Sequence, residues 1–391
     1  MKPRRTILAV VVISLIAAGA PTQTPTRARD LGVPFEGDPG PLNAITDVSG
    51  LEVGHTTILL EEGPVRTGVT AVLPRGRMSR VGVFANWFAL NGNGEMTGTT
   101  WVSDRGILKG PVLITNTYSV GAVHEAAIAW AEQNLGFRAW TLPMVAETWD
   151  GFLNDITGFH VRRQHVFAAL DSARGGPVEE GSVGGGTGMR TFEFKSGIGT
   201  ASRRVRAGGT DYTVGVLVQS NFGRRPQLRI AGVPVGREIP DLLPENPPPS
   251  GAGAPAPRGG RDGSIIIIAA TDAPLLPHQL KRLARRASLG LGRLGSISMN
   301  GSGDIFVAFS TANEDAVDNQ SGEAGLRMLA NSDLNPLFEG VVQATEEAIV
   351  NSMIAARDMT GVNGRRIYAI PHERLQEILR RYDRLLPVTP D

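Results

Sequence analysis

Residues 258 to 267 read Arg-Gly-Gly-Arg-Asp-Gly-Ser-Ile-Ile-Ile, so a serine that follows a glycine opens one of the most apolar stretches of the chain. If the Gly263–Ser264 peptide is held in a strained turn, the Ser264 hydroxyl can attack the preceding carbonyl, because Gly263 has no side chain to block the approach. Hydrolysis of the resulting ester would free an α-amino group on Ser264. Such an amine has an ordinary pKa of about 7.7 to 8.0 and can take the proton from its own residue's hydroxyl. Nucleophile and base would then share one residue. A Gly-Ser pair that merely starts a strand is common, and from spacing alone it is the plainer reading.

The elements around this pair can be read from composition and period. Upstream, Pro244 to Gly263 holds 11 Pro or Gly in 20 residues without periodicity, which predicts an exposed, mobile linker. Linkers of this length inside a compact domain are usually functional or disordered. Strands are expected at 69–74, 81–86, 111–116, 212–220, 265–270 and 305–310. Helical spacing appears over 121–135 (Val123, Ala127, Trp130), 277–288 (Leu280, Leu283, Ala284, Ala287) and 336–358 (Val341, Val342, Ala348, Ile349, Met353). This is a mixed α/β pattern, and a layered sandwich of two sheets with outer helices would bury it.

Other chemistries find little support. The chain has no cysteine, which removes disulfides, thiolate metal sites and a cysteine nucleophile. Its six histidines are scattered without H-E-x-x-H. His160 and His165, five apart, would diverge by about 140° on a helix. They are expected to be packing or surface residues, and no metal or organic cofactor is expected. The nucleophile elbow G-x-S-x-G is absent. Gly290, Gly292 and Gly295 match a dinucleotide spacing but follow a helical pattern rather than a strand. The run GSVGGGTG at 181–188 lacks the lysine of a phosphate loop and reads as a tight turn.

Lysine plus arginine (39) nearly balances aspartate plus glutamate (38), so no global field draws the chain to nucleic acid or anionic lipid. Lys281, Arg282, Arg285 and Arg286 read as the wet face of an amphipathic helix. At the start, Lys2, Arg4 and Arg5 precede the apolar run Ile7 to Ala18, with small residues at Ala18 and Ala20. That is a secretory signal pattern, expected to end near residue 28 and to direct the protein to the periplasm or beyond. A Pro/Thr/Gly-rich tail to about residue 41 would follow. No membrane association is expected once the signal is removed, since no other run approaches the roughly 20 apolar residues of a span.

Seven segments in order resemble one family: AITDVSGLEVGHTT (44–57), NGNGEMTGTTWV (91–102), TNTYSVGAVHEA (115–126), ETWDGFLNDI (147–156), VLVQSNFG (216–223), DGSIIIIAATDAPL (262–275) and NGSGDIFVAFSTAN (300–313). The chain is similar over residues 42 to 385 to the L-aminopeptidase/D-esterase and β-peptidyl aminopeptidase family of self-processing hydrolases. The resemblance implies a four-layer αββα sandwich and cleavage between Gly263 and Ser264, giving a larger subunit (29–263) and a smaller one (264–391). It implies that Ser264 is the nucleophile, with Ser302 and Asp304 beside it orienting amine and hydroxyl. Some members carry Glu at the acid position, and Asp304 is one methylene shorter. Asn221 would donate to the oxyanion and Glu147 would hold the substrate's free amino end. Tyr118, Trp149 and Phe152 are expected as pocket walls.

The implied substrates are short peptides, amino-acid amides or esters, in some members built from β-amino acids. The implied assembly is a tetramer of processed heterodimers. Two rivals remain: an ornithine acetyltransferase-like enzyme, whose relatives use threonine as the nucleophile, and an unprocessed relic that only binds.

Overall fold

The computed structural model describes residues 26–60, 63–136, 142–247, 263–319 and 321–387. The linker residues 248–262 and most of the signal pattern (1–25) lie outside them. Among the described residues, ten strands build two facing sheets. The smaller contains β1 (Glu52–Leu59), β2 (Arg66–Leu73), β5 (Val112–Asn116) and β6 (Met144–Thr148) in the order β1-β2-β5-β6. The larger contains β3 (Val83–Gly92), β4 (Ile107–Leu108), β7 (Ile198–Ala207), β8 (Thr210–Phe222), β9 (Gly263–Thr271) and β10 (Gly303–Ser310). Its order is β4-β3-β10-β9-β8-β7.

Side chains alternate across a strand, which explains the unbroken isoleucine run of β9. Ile265, Ile267 and Ala269 face one core, shared with helices α3 (Pro277–Arg293), α4 (Asn335–Ile354) and α5 (His372–Arg381). Ile266, Ile268 and Ala270 face the other sheet and meet Val72, Val112, Ile114 and Met144. A third core lies between the smaller sheet and helices α1 (Val120–Leu135) and α2 (Arg163–Asp171), where Val69, Ala71 and Leu113 meet Val123, Trp130 and Val166. The stack is therefore αββα, as the resemblance implies. Every isoleucine of β9 is fully buried, each contributing about 1.5–3 kcal/mol.

Each sheet holds one parallel pair bridged by a helix: β5 and β6 by α1, β9 and β10 by α3. Parallel strands require such a crossover, and the second one brings the starts of β9 and β10 side by side. The three expected helices are present with shifted ends. α3 extends past 288 to Arg293. There a Cβ on Gly290 would meet the Val342 carbonyl at 2.6 Å, so this glycine serves close packing of α3 on α4. α4 stops at Ile354, short of 358, because the chain turns through Ala355 toward a short strand at Met359. Lys281 and Arg285 are exposed as expected, whereas Arg286 lies 3.6 Å above the ring of Phe338.

The tail reading needs correction. Ala28, Leu31 and Val33 are buried in the core, while Arg27 pairs with Glu180 at 2.7 Å and Arg29 with Glu347 at 2.8 Å. Strand β7 escapes a reading by pattern because Arg203 sits in it, fully buried. Its charge is met by Glu347 at 2.7 Å and by the carbonyls of Glu36 and Ser202.

Lys195 is a second buried cation, in the small hairpin of Arg190–Thr191 and Phe194–Lys195. Its Nζ donates to the Ser196 carbonyl at 2.5 Å, and burial pulls its pKa down to about 7. A lysine whose folded pKa lies below its unfolded value of 10.5 costs stability at and below pH 7, and the folded state recovers as pH rises from about 7 to 10.5. Lys195→Met is expected to raise stability at pH 7 by up to about 4 kcal/mol, with the gain shrinking toward pH 10. Urea midpoints of both proteins at pH 6, 8 and 9.5 check this; a difference that does not vary with pH contradicts it.

Candidate active site

The register of the larger sheet places Asn221 of β8 opposite Ser264 of β9, and Ser264 beside Gly303 of β10. Gly263 has φ of +82°, and a Cβ built on it would lie 2.0 Å from the Asn221 carbonyl oxygen. Only glycine fits there. The buried Ser264 hydroxyl donates to the Gly263 carbonyl at 2.7 Å and accepts from the Gly303 amide at 3.2 Å. It is thus folded back onto the peptide bond that precedes it.

Ser302 and Asp304 bracket Gly303. The Ser302 hydroxyl donates to Asp304 Oδ1 at 2.6 Å, and Ser298 donates to Oδ2 through a short hydrogen bond. Burial pushes the Asp304 carboxyl above its usual range, while the two serines and the Ile265 amide favour the anion. A register irregularity between Asp304 and Ile305 marks this end of the strand. Asn91 and Asn93 tie the end of β3 to the turn before β10 by donating to the Met299 and Gly301 carbonyls at 2.8 and 2.7 Å.

The end of β6 supplies Glu147, which is buried. Its Oε1 accepts from the Glu95 amide at 3.1 Å, and its Oε2 accepts a short hydrogen bond from the Thr117 hydroxyl. Burial raises its pKa, and these two donors oppose the rise. A Cβ on Gly94 would meet Glu147 Oε1 at 3.1 Å and Gly303 Cα at 3.3 Å, so a single glycine separates this carboxylate from the neighbour of Ser264. On the opposite flank, Asn221 Oδ1 accepts from the Arg190 amide at 3.1 Å and Nδ2 donates to the Trp149 carbonyl at 3.0 Å. One of its two amide protons is spoken for, which leaves one for another acceptor.

The aromatic residues divide. Tyr118 is 51% exposed and stacks on Phe159 with ring centroids 6.3 Å apart. The Trp149 ring covers Gly151, where a Cβ would meet it at 2.6 Å. Two guanidinium groups approach the Phe152 ring, Arg190 at 4.4 Å and Arg365 at 5.5 Å from the centroid, so its surroundings are cationic as well as apolar.

Ser264, Asn221, Ser302, Asp304 and Glu147 therefore converge, although they come from both sheets. Ser298, Thr117, Asp150, Arg190 and the Gly303 amide belong to the same constellation and were missed. Thr117 stands in the TNTYS segment already singled out, but a backbone amide leaves no mark in a sequence. The glycine run folds into a buried 3-10 turn, Gly184–Gly186, pressed against β2 and β5. His160 pairs with Asp155 at 3.0 Å and His165 accepts from the Arg162 amide in the first turn of α2.

Four αββα layers with a buried serine at the head of a central strand match the N-terminal-nucleophile (Ntn) hydrolase fold. Residues 43–367 match peptidase family S58, and the chain belongs to that family of hydrolases. It is 53% identical over 387 residues to β-peptidyl aminopeptidase BapA of Sphingosinicella microcystinivorans, covering 96% of this chain and 97% of that one. It is 50% identical over 390 residues to BapA of Sphingosinicella xenopeptidilytica, covering 96% and 95%. The structure superposes on the L-aminopeptidase D-Ala-esterase/amidase of Ochrobactrum anthropi, described as a variant of the Ntn hydrolase fold. The TM-score is 0.85 at 48% identity, covering 92% of this chain and 99% of that one.

Proposed function

We propose that the chain is a serine aminopeptidase that matures by cutting itself between Gly263 and Ser264. The observation that carries this reading is the Ser264 hydroxyl held 2.7 Å from the Gly263 carbonyl oxygen, at a glycine of positive φ. Attack of Oγ on the Gly263 carbonyl carbon transfers the acyl group from nitrogen to oxygen, and water hydrolyses the ester. The products are a Gly263 carboxylate and a free amine on Ser264, which begins the smaller subunit (264–391). In turnover the amine accepts the Oγ proton as Oγ attacks the substrate carbonyl, then passes it to the leaving amine, and water releases the acyl group. Ser302 and Asp304 orient this pair, and Asn221 meets the oxyanion. No step draws on a metal or an organic cofactor.

Glu147 receives the substrate's ammonium by a charge-assisted hydrogen bond. The substrates are short peptides, amino-acid amides or esters, with β-amino-acid peptides included on the strength of the BapA relatives. The N-terminal signal exports the chain, and the ion pairs of Arg27 and Arg29 favour removal upstream of Arg27. Processed heterodimers assemble as a tetramer. Intact mass of the purified protein tests the central claim. Two polypeptides are expected, the smaller beginning Ser-Ile-Ile-Ile, and a single uncut chain in active enzyme refutes it.

Glu147→Gln keeps the shape and removes the charge. The KM for a substrate with a free amine is expected to rise about 10- to 100-fold, the loss of roughly 1.5–3 kcal/mol for a hydrogen bond to a charged group. Kinetics on paired free and N-acetylated substrates check this. Equal hydrolysis of the two by the wild type rules out the assignment.

A further inference from the structure

Just past Thr148, where β6 ends, the chain fully buries a carboxylate that the mechanism above does not use, that of Asp150. Its Oδ1 accepts from Asn154 Nδ2 at 3.0 Å, and Asn154 Oδ1 accepts from the Arg66 amide at 3.0 Å. The Thr67 hydroxyl favours the Asp150 anion and accepts from Asn116 Nδ2 at 2.7 Å. Asn116 Oδ1 in turn accepts from the Tyr118 amide at 3.1 Å, shaping the Thr117–Ser119 turn that presents the Thr117 hydroxyl to Glu147. On the other side, the peptide carbonyl just before Asp150 is that of Trp149, the acceptor that fixes Asn221. Asp150 is thus joined to one flank of the site through its side chain and to the other through its backbone. Its Oδ2 is buried and meets no partner at full hydrogen-bond geometry.

We propose that Asp150 is a positioning residue: its buried carboxylate braces the turn that presents Thr117 to the ammonium receptor Glu147, its backbone carries the Trp149 carbonyl that holds Asn221, and its charge strengthens ammonium binding. This rests on the roles given above to Glu147 and Asn221. A carboxylate kept only for structure gains nothing from a buried, unpartnered oxygen, because asparagine would accept the Asn154 bond equally well. Burial, with a smaller contribution from the Glu147 charge, pushes the Asp150 pKa up to about 7.

The charged groups around Asp150 leave that charge uncompensated. From β6 comes Glu147, which repels it. From β2 comes Arg66, whose guanidinium is committed to the carbonyls of Leu60, Gly63, Val65 and Thr360. From the C-terminal segment comes Arg365, which donates to the Gly151 and Phe152 carbonyls. The glycine-rich turn contributes only Gly188, where a Cβ would meet the Asp150 Cβ at 2.8 Å. A substrate ammonium docked at Glu147 brings a further cation to this region. Below pH 7 it meets a neutral Asp150, and above pH 7 an additional negative charge.

The test is kcat and KM from pH 5.5 to 8.5 on an aminoacyl p-nitroanilide with a free amine, for processed wild type, Asp150→Asn, Thr67→Val and Glu147→Gln. The ratio of variant to wild-type KM cancels the titration of the substrate itself. For Asp150→Asn this ratio is expected near one at pH 5.5 and about tenfold at pH 8.5, a Coulombic effect between poorly solvated groups. The kcat ratio should not vary with pH. Thr67→Val removes a hydroxyl that favours the anion and should move the wild-type step to higher pH, which keeps the test informative if Asp150→Asn folds poorly.

A carboxyl with a raised folded pKa loses stability as pH climbs through that value, so Asp150→Asn should also melt above the wild type at pH 8.5. A KM ratio flat across the range, or kcat and KM impaired alike at every pH, overturns the inference. If Glu147→Gln leaves KM unchanged, the receptor assignment itself fails; a flat Asp150→Asn ratio beside an impaired Glu147→Gln overturns the Asp150 inference alone.

Discussion

Ser264→Ala is expected to yield one uncut chain with no measurable peptidase activity. The hydroxyl is required twice, once to attack the Gly263 carbonyl and again to attack each substrate, and alanine retains the Cβ while removing only Oγ. The fold should survive. β9 is held by Ile265 to Ile268 in two cores, and the bonds lost are those to the Gly263 carbonyl and the Gly303 amide. At about 1 kcal/mol each, these are small beside the burial of the strand. Loss of a nucleophile costs on the order of 10⁶ in kcat in serine hydrolases, and the uncut chain would also lack the free amine that serves as base. Intact mass and a denaturing gel report the cut, and circular dichroism reports the fold. Normal subunits in this variant would show that another group makes the cleavage, and the assignment of Ser264 would be lost.

Legibility in the sequence followed burial pattern and locality. β9 could be read because both of its faces are apolar, and α3 because Leu280, Leu283, Ala284 and Ala287 recur on one side. Gly263 and Ser264 stood out because a flexible composition met an apolar one without transition. β6, by contrast, is five residues long and carries Glu147 and Thr148 at its buried end. A charged residue at a buried strand end breaks the apolar pattern, and the partners at Glu95 and Thr117, 52 and 30 positions away, make the burial tolerable. Arg203 disguised β7 in the same way, since its partner Glu347 is 144 positions distant.

Asp150 and Arg190 were illegible for a related reason. A buried polar group is recognised by what satisfies it, and those contacts are set by the packing of two sheets rather than by neighbours in the chain. The hairpin turn at Phe192 and Glu193 has φ of +49° and +65° without glycine or asparagine, so no turn signal announced the segment that places the Arg190 amide on Asn221.

Asn221→Ala should lower kcat of the processed enzyme by about 10²–10³ while changing KM much less, because the lost donor acts on charge that develops only in the transition state. The position supports this. Asn221 is directly opposite Ser264 across the sheet, and its carboxamide is fixed at both ends, by the Arg190 amide at 3.1 Å and the Trp149 carbonyl at 3.0 Å. A donor held in this way needs no reorganisation when the oxyanion forms, which is what makes such groups effective.

The same anchoring has a structural consequence. Alanine leaves a buried amide and a buried carbonyl without their partner, at about 1–3 kcal/mol each, so the melting temperature should fall as well. Catalytic and structural losses are separated by single-turnover kinetics well below the melting point of the variant. Cleavage of the precursor should slow in parallel if one donor serves both carbonyls, so mass spectra over time after synthesis provide a second reading. A kcat within threefold of wild type, in protein shown to be folded and cut, would move the oxyanion donor away from Asn221; the Gly303 amide, 3.2 Å from the nucleophile, would be the next group to examine.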